Sequence, residues 1–284
     1  YGVPLTEYDR VRFGIGVEHT DIIRSFSAVD EIVDFINIYG DGATDQFGYR
    51  EAGFDALTFV ASYSHDTRNR TVFANKGSSQ SVVLDFIVPG SDNEFYKLTY
   101  RTKFYFPVYN DITLLMKSDI AFGDGYGNTD GLPFYERFYA GGLRTVRGFD
   151  SNSLGPRATI SSTVFDPLTG QAAIDPVTNQ VYTTSTTVPR GGDLRTVAGA
   201  ELIFPIPFVE KAPRSVRLSA FYDIGNVFIR DEADFSKDEL RSSTGVSFVW
   251  LAPIGPLRFS WSRPIKKQPG DDTQGFQFSI GSFF

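Results

Sequence analysis

Two side chains in this 284-residue chain titrate near neutral pH, His19 and His65, and general acid–base chemistry would have to start from them. His19 closes the alternating stretch "FGIGVEH" and His65 closes "FVASYSH". If those stretches are consecutive antiparallel strands, the imidazoles stand at opposite ends, roughly 25 Å apart, and cannot share a site. Neither has a serine placed to act as a nucleophile at a lipid-facing site. The chain has no cysteine, which excludes disulfides, thiolate catalysis and cysteine-ligated metals. It has no Gly-Lys-Ser/Thr phosphate loop, and "GIGVEH" and "GDGYGNTDG" lack the following helix that a dinucleotide site needs. We expect no catalytic residue, no metal site and no cofactor.

The remaining candidate is "GGLRTVRGFDSNSLGPR", residues 141–157, a stretch with no hydrophobic period that holds Arg147 between Val146 and Gly148. Arginine keeps its proton and is costly to bury without carboxylates. Were this loop to fold into an enclosed interior, Arg147 would need acids on the surrounding wall. Glu201 in "LRTVAGAEL" shares parity with Asp193 and Arg195, and Asp223 in "SVRLSAFYDIG" shares parity with Arg217 and Ser219. Both are expected to face inward from neighbouring strands and to hold Arg147. Gly148 lets the backbone pass close to that wall, and Phe149 is expected to anchor the loop by packing. Bidentate geometry makes Arg147→Lys non-conservative.

The elements that must position these residues are strands. The composition, 27 Phe and 14 Tyr against one Met, with 27 Gly and 15 Pro, favours strands and turns over helices. Ten segments alternate with the length of membrane strands, roughly 9 to 11 residues. In the first, Val11, Phe13, Ile15 and Val17 oppose Arg10, Arg12, Gly14, Gly16 and Glu18; in the fourth, Tyr96, Leu98, Tyr100, Phe104 and Phe106 oppose Lys97, Thr99, Arg101 and Lys103. Periodicity alone does not separate a soluble sandwich from a membrane barrel. Three features favour the barrel: polar faces rich in Gly, Ser and charges of both signs, aromatics at strand ends, and connections that alternate mostly short with long. "FPVYND" and "LAPIGP" are short; 20–53, 124–192 and 227–242 are long, and "VPGSDNE" is tight where a long loop is due. The long set is expected on the extracellular side.

The start, "YGVPLTEYDRVRF", reads as a strand end, a turn and a new strand, as in a piece of a longer chain. "SAVDEIVDFINIYG" has Val29, Ile32, Val33 and Ile36 at helical spacing, with Ser27 and Asp30 as a capping box and Gly40 as a stop, which predicts a short helix capping a loop. "DPLTGQ" at 166 recurs as "DPVTNQ" at 175, which is turn chemistry in a hairpin-like excursion; two carboxylates are too few for a calcium shell. A net charge of −7 argues against nucleic acid as a partner.

With its flanks, "LPFYERFYAGGLRTVRGFDSNSLGPR" resembles a signature of the BamA family, the barrel subunits of the bacterial outer-membrane assembly machine, within the insertase and two-partner-secretion superfamily. Val146, Arg147, Gly148 and Phe149 match the family's VRGF tetrapeptide, and the resemblance continues through "VPGSDNEFYKLTY", "YDIGNVF", "WLAPIGPLRFSWSRPIKK" and "FQFSIGSFF". It implies an all-β fold: an antiparallel transmembrane β-barrel of which residues 1–284 supply the last ten of sixteen strands. The upstream strands and periplasmic repeat domains would be absent, and 124–192 would be the loop carrying the motif. In similar proteins the loop arginine is tied to acids on the strands that follow it.

Phe276, Phe278, Ile280 and Phe284 share one face of the last segment and Gln277 and Ser279 the other; this end resembles the terminal sorting signal of outer-membrane strands. Gly281 falls where similar insertases have a kinking glycine beside an opening seam. The function so implied is nucleotide-free insertion of outer-membrane proteins into the lipid bilayer, with assembly-machine lipoproteins as partners. A polypeptide secretion pore of the same superfamily and a passive porin are the alternatives.

Overall fold

The computed structural model describes residues 1–23, 30–39, 51–109, 111–166, 169–174, 180–204, 215–232 and 235–281. Its strands are β1 (Gly2–Pro4), β2 (Asp9–Ile23), β3 (Glu51–Asp66), β4 (Gly77–Ile87), β5 (Phe95–Tyr109), β6 (Ile112–Gly125), β7 (Arg157–Thr163), β8 (Thr183–Pro189), β9 (Leu194–Phe204), β10 (Val216–Phe228), β11 (Arg241–Ala252), β12 (Gly255–Lys266) and β13 (Phe276–Ile280), with one α-helix, α1 (Asp30–Tyr39). Eleven strands form one antiparallel sheet in the order β1-β2-β3-β4-β5-β6-β9-β10-β11-β12-β13, and β7 and β8 pair separately. The ten expected segments are all present. The eleventh strand, β1, is the strand end read before the first turn, pairing Gly2 with Arg12 and Pro4 with Arg10.

Each long strand turns its alternation into two unlike faces. Ile15 and Val17 are 78 % and 83 % exposed, and Phe13, Leu98, Phe106, Met116, Trp250 and Trp261 are exposed with them. Phe13 and Phe59 stack at 6.3 Å on this outer face rather than in a shared core. So large an apolar surface fits lipid, not water. The opposite face is concave. Arg217 on β10 donates to the carbonyls of Phe73 and Ala74 in the β3–β4 turn and lies over the Phe73 ring. Because β5, β6 and β9 separate β4 from β10 in the sheet, that contact requires the sheet to curl around an interior. Among the described residues no ladder joins β1 to β13.

The cores lie where loops meet the inner wall. One is built from Ala140, Val146, Phe149, Leu154, Val197 and Val227. Another forms under α1, where Ile36 is buried with Ala52 and Phe54, flanked by Ile22, Ile32 and Phe35. The predicted helix is therefore present and caps the long-loop end; its proposed Ser27 cap and Gly40 stop lie outside the described residues. The excursion in the second long loop is the β7–β8 hairpin, extended by bridges from Phe165 to Ala172 and Ile174 to Val181. Its first turn closes with Gly170 N–H on the Asp166 carbonyl, while residues 175–179 of the second repeat lie outside the description.

The helix also clasps the stems of the long loop. Glu31 accepts from Arg137 and, at 3.0 Å, from Arg190, which reaches Glu232 at 2.7 Å. Burial alone would push the Glu31 carboxyl up; the Arg190 and Arg137 guanidiniums override it and hold the group below its ordinary value. A carboxylate lowered in the folded state stabilises above its unfolded pKa and loses that contribution as pH falls through the folded value. Acidification below about pH 4 is therefore expected to loosen α1 before the strands respond. Amide exchange over 30–39, compared with β5, checks this.

Candidate functional site

Residues 141–157 leave the β6–β9 connection and pass into the concavity, carrying Arg147, which is 1 % exposed. Its Nε donates to Asp223 Oδ2 at 2.6 Å and its Nη2 to Asp223 Oδ1 at 3.0 Å, a bidentate pair. Nη1 donates to Glu201 Oε2 at 3.1 Å, and the Arg147 backbone N–H reaches Asp223 Oδ2 at 3.3 Å. Both acids expected from strand parity are thus at the arginine.

The geometry follows from register. Glu201 lies opposite Phe221, and Asp223 opposite Gly199, so the acids sit diagonally, two residues apart along the ladder, with Phe221 directly across from Glu201. The guanidinium stacks on the Phe221 ring, 3.4 Å from its centroid. Lys117 on β6 is also opposite Gly199 and brings its Nζ to 3.1 Å from Asp223 Oδ1. Gly199 makes the row possible: a Cβ there would come within 2.5 Å of Asp223 Oδ1 and 2.6 Å of Lys117 Cε. Ser219 Oγ donates to Glu201 Oε1 at 2.5 Å. Two cations therefore meet two carboxylates, which offsets the cost of burying each charge.

Around Arg147 the motif divides its work. Val146 and Phe149 are both buried in the loop core with Ala140, Leu154, Val197 and Val227. Gly148 adopts φ +89°, and a Cβ would stand 3.3 Å from the Cβ atoms of both Ser243 and Ser262, the close passage along the wall that its type predicts. Lys117 alternates onto the same inner face of β6, and Phe221, a large apolar residue on the polar face of β10, is the sequence feature that goes with the stacked guanidinium.

In β13, Phe276, Phe278 and Ile280 are exposed on the outer face and Gln277 points inward, as alternation requires. Gly281 follows the strand with φ +115° and donates to the Pro256 carbonyl at 3.0 Å; Phe284 lies outside the described residues. The histidines stand apart from all of this. His19 Nδ1 is 2.7 Å from Asp55 and His65 Nδ1 is 2.7 Å from Asp9. Since His65 is opposite Asp9 on β2, the two are ten residues, about 34 Å of strand, apart.

This arrangement can hold a loop against a wall; it presents no nucleophile paired with a base. The Omp85 superfamily domain matches residues 1–284. The chain belongs to the Omp85 superfamily. It is 32 % identical over 308 residues to the outer membrane protein assembly factor BamA of Neisseria meningitidis, covering 99 % of this chain and 35 % of that protein. A SAM50-like protein of Drosophila melanogaster is 25 % identical across 84 % of this chain and 48 % of its own length. The crystal structure of BamA from Haemophilus ducreyi lacking POTRA domains 1–3 superposes with a TM-score of 0.78 at 26 % identity, covering 98 % of this chain and 52 % of that one. The chain thus spans about a third of the Neisseria relative. With its outward apolar band, this Omp85 domain is an antiparallel β-barrel fold of the bacterial outer membrane.

Proposed function

We propose that this Omp85 chain is the carboxyl-terminal part of the barrel of an insertase that folds β-barrel proteins into the bacterial outer membrane, upstream strands and periplasmic repeats belonging to the rest of the protein. The observation that carries the reading is the loop of residues 141–157, tied through Arg147 to Glu201 and Asp223 inside a sheet whose last strand is short. Among the described residues β13 covers five positions, about 17 Å, less than the ~25 Å apolar band of such barrels, and a bilayer that matches so short a strand thins beside it. A seam beside β13 would offer backbone N–H and C=O groups to an incoming strand, which pairs because lipid leaves those groups no alternative.

No covalent step and no nucleotide is needed, since the substrate's own pairing and burial drive insertion. Arg147, Glu201 and Asp223, with Val146, Gly148 and Phe149, form the internal lock; Phe276, Phe278, Ile280, Gly281 and Phe284 belong to the seam strand. Substrates are unfolded outer-membrane proteins, and the assembly-machine lipoproteins act through the periplasmic domains. The naming of relatives as assembly factors favours this over a secretion pore, and a loop bound within the interior disfavours a passive porin.

The test is to reconstitute the full-length protein with its lipoprotein partners in liposomes without nucleotide and to follow an unfolded barrel substrate by heat-modifiable mobility. Folding several times faster than in empty liposomes is expected; equal rates would overturn the reading.

A further inference from the structure

The loop that carries Arg147 also grips the last strand, through a residue that the lock does not use. Gln277, in the middle of the outer-facing run Phe276, Phe278 and Ile280, turns inward and is 5 % exposed. Its Oε1 accepts the Gly148 N–H at 3.3 Å, and its Nε2 donates to the Phe149 carbonyl at 2.7 Å. Nε2 also lies 3.2 Å from Gln274 Oε1. One primary amide thus satisfies a donor and an acceptor of adjacent residues in the motif, as a paired backbone segment would.

A short β-pairing reinforces it. Gln274 N–H donates to the Gly148 carbonyl and Asp150 N–H to the Asp272 carbonyl, each at 3.0 Å, with Phe149 opposite Thr273. Arg157 closes the same corner on Asp272 at 2.9 Å. Through residues 147–150 the loop therefore holds three strands at once: β9 by Glu201, β10 by Asp223 and β13 by Gln277. For β13 this grip matters more than for the others. Among the described residues its ladder to β12 runs from Trp261 opposite Phe276 to Leu257 opposite Ile280, with Gly281 N–H on the Pro256 carbonyl and Ser262 N–H on the Gly275 carbonyl at its ends, whereas β9 and β10 are laddered on both sides.

We propose that Gln277 is a positioning residue for the seam: its amide latches β13 to the Arg147 loop, so that β13 leaves the wall only when Gln277 releases Gly148 and Phe149. The proposal rests on reading β13 as the seam strand. It makes the loop and the seam one mechanical unit in which the loop anchors the moving strand and the acids anchor the loop.

The experiment compares Gln277→Leu and Gln277→Glu with the parent in the full-length protein in lipid bilayers, by amide exchange mass spectrometry. Leucine keeps the bulk and loses both bonds; glutamate keeps the acceptor and loses the donor to Phe149. Losing buried bonds to both backbone groups predicts exchange at least about tenfold faster across 276–280 in Gln277→Leu, an effect at least as large in Gln277→Glu, whose buried carboxylate faces the Phe149 carbonyl, and no change in β9 or β10. Unchanged exchange over 276–280 in both variants, or equal acceleration in β9, β10 and β13, would overturn the latch.

A rescue arm keeps the test decisive if the leucine variant is broadly loosened. Asp150→Cys with Asp272→Cys, in a full-length background without other cysteines, puts a crosslinkable pair at two positions joined by the Asp150 N–H bond to the Asp272 carbonyl. Oxidation should restore protection of 276–280 in the Gln277→Leu background, and failure to do so contradicts the mechanical link. Should protection follow these expectations while the oxidised staple leaves substrate assembly untouched, the latch stands and the insertase reading of the seam is what fails.

Discussion

Asp223→Ala in the full-length protein is expected to free the loop of residues 141–157, at a cost of about 3–5 kcal/mol. Asp223 is 0 % exposed and accepts two side-chain bonds and one backbone bond from Arg147, besides its contact with Lys117. Its removal leaves two buried cations facing one carboxylate. Glu201→Ala costs less, because Glu201 is partly exposed and takes a single Arg147 bond. Arg147→Ala leaves Lys117 to neutralise part of the charge and falls between the two. Arg147→Lys does not rescue it, since an ammonium supplies neither the bidentate fork nor the flat stack on Phe221. Amide exchange over 144–154 and growth complementation at matched protein levels report the ranking. A loop as protected in Asp223→Ala as in the parent would show that the acid does not hold it.

Much of this site was legible in the chain because a strand's period of two fixes which face a residue occupies. Glu201, Asp223 and Lys117 could be assigned inward from alternation alone. The same rule does not give height. Whether Asp223 lies level with Gly199 or with Glu201 depends on the stagger between β9 and β10, and that stagger is what places Phe221 beneath the guanidinium and Lys117 beside the carboxylate. Gln277 illustrates the same limit from the other side. Its inward direction was plain, but its partners belong to an aperiodic loop more than a hundred residues away. Helix α1 was readable from its 3.6 period, whereas its clasp on Arg137 and Arg190 depends on loop paths that no local pattern encodes.

Ile15→Arg is the second large effect, and it tests the faces rather than the lock. Ile15 lies near the middle of β2 with its side chain on the outer surface. A guanidinium there sits close to the bilayer midplane, where the cost is about 2–4 kcal/mol. Glu18→Gln, three residues along on the inner face, is expected to stay within about 0.5 kcal/mol of the parent. Denaturant unfolding in bilayers separates the two. Equal destabilisation would mean that β2 does not divide lipid from water.

The lock and the seam both require oily side chains to face lipid and charged ones to face the interior that receives Arg147. Residues 1–284 contain no cysteine, so in a full-length protein cleared of any cysteine elsewhere, single cysteines from residue 10 to 18 carry the spin labels. In bilayers, labels at 11, 13, 15 and 17 should be relaxed by oxygen, and those at 10, 12, 14, 16 and 18 by a water-soluble nickel complex. The same relaxer acting on both sets, or the two patterns exchanged, would contradict the claim.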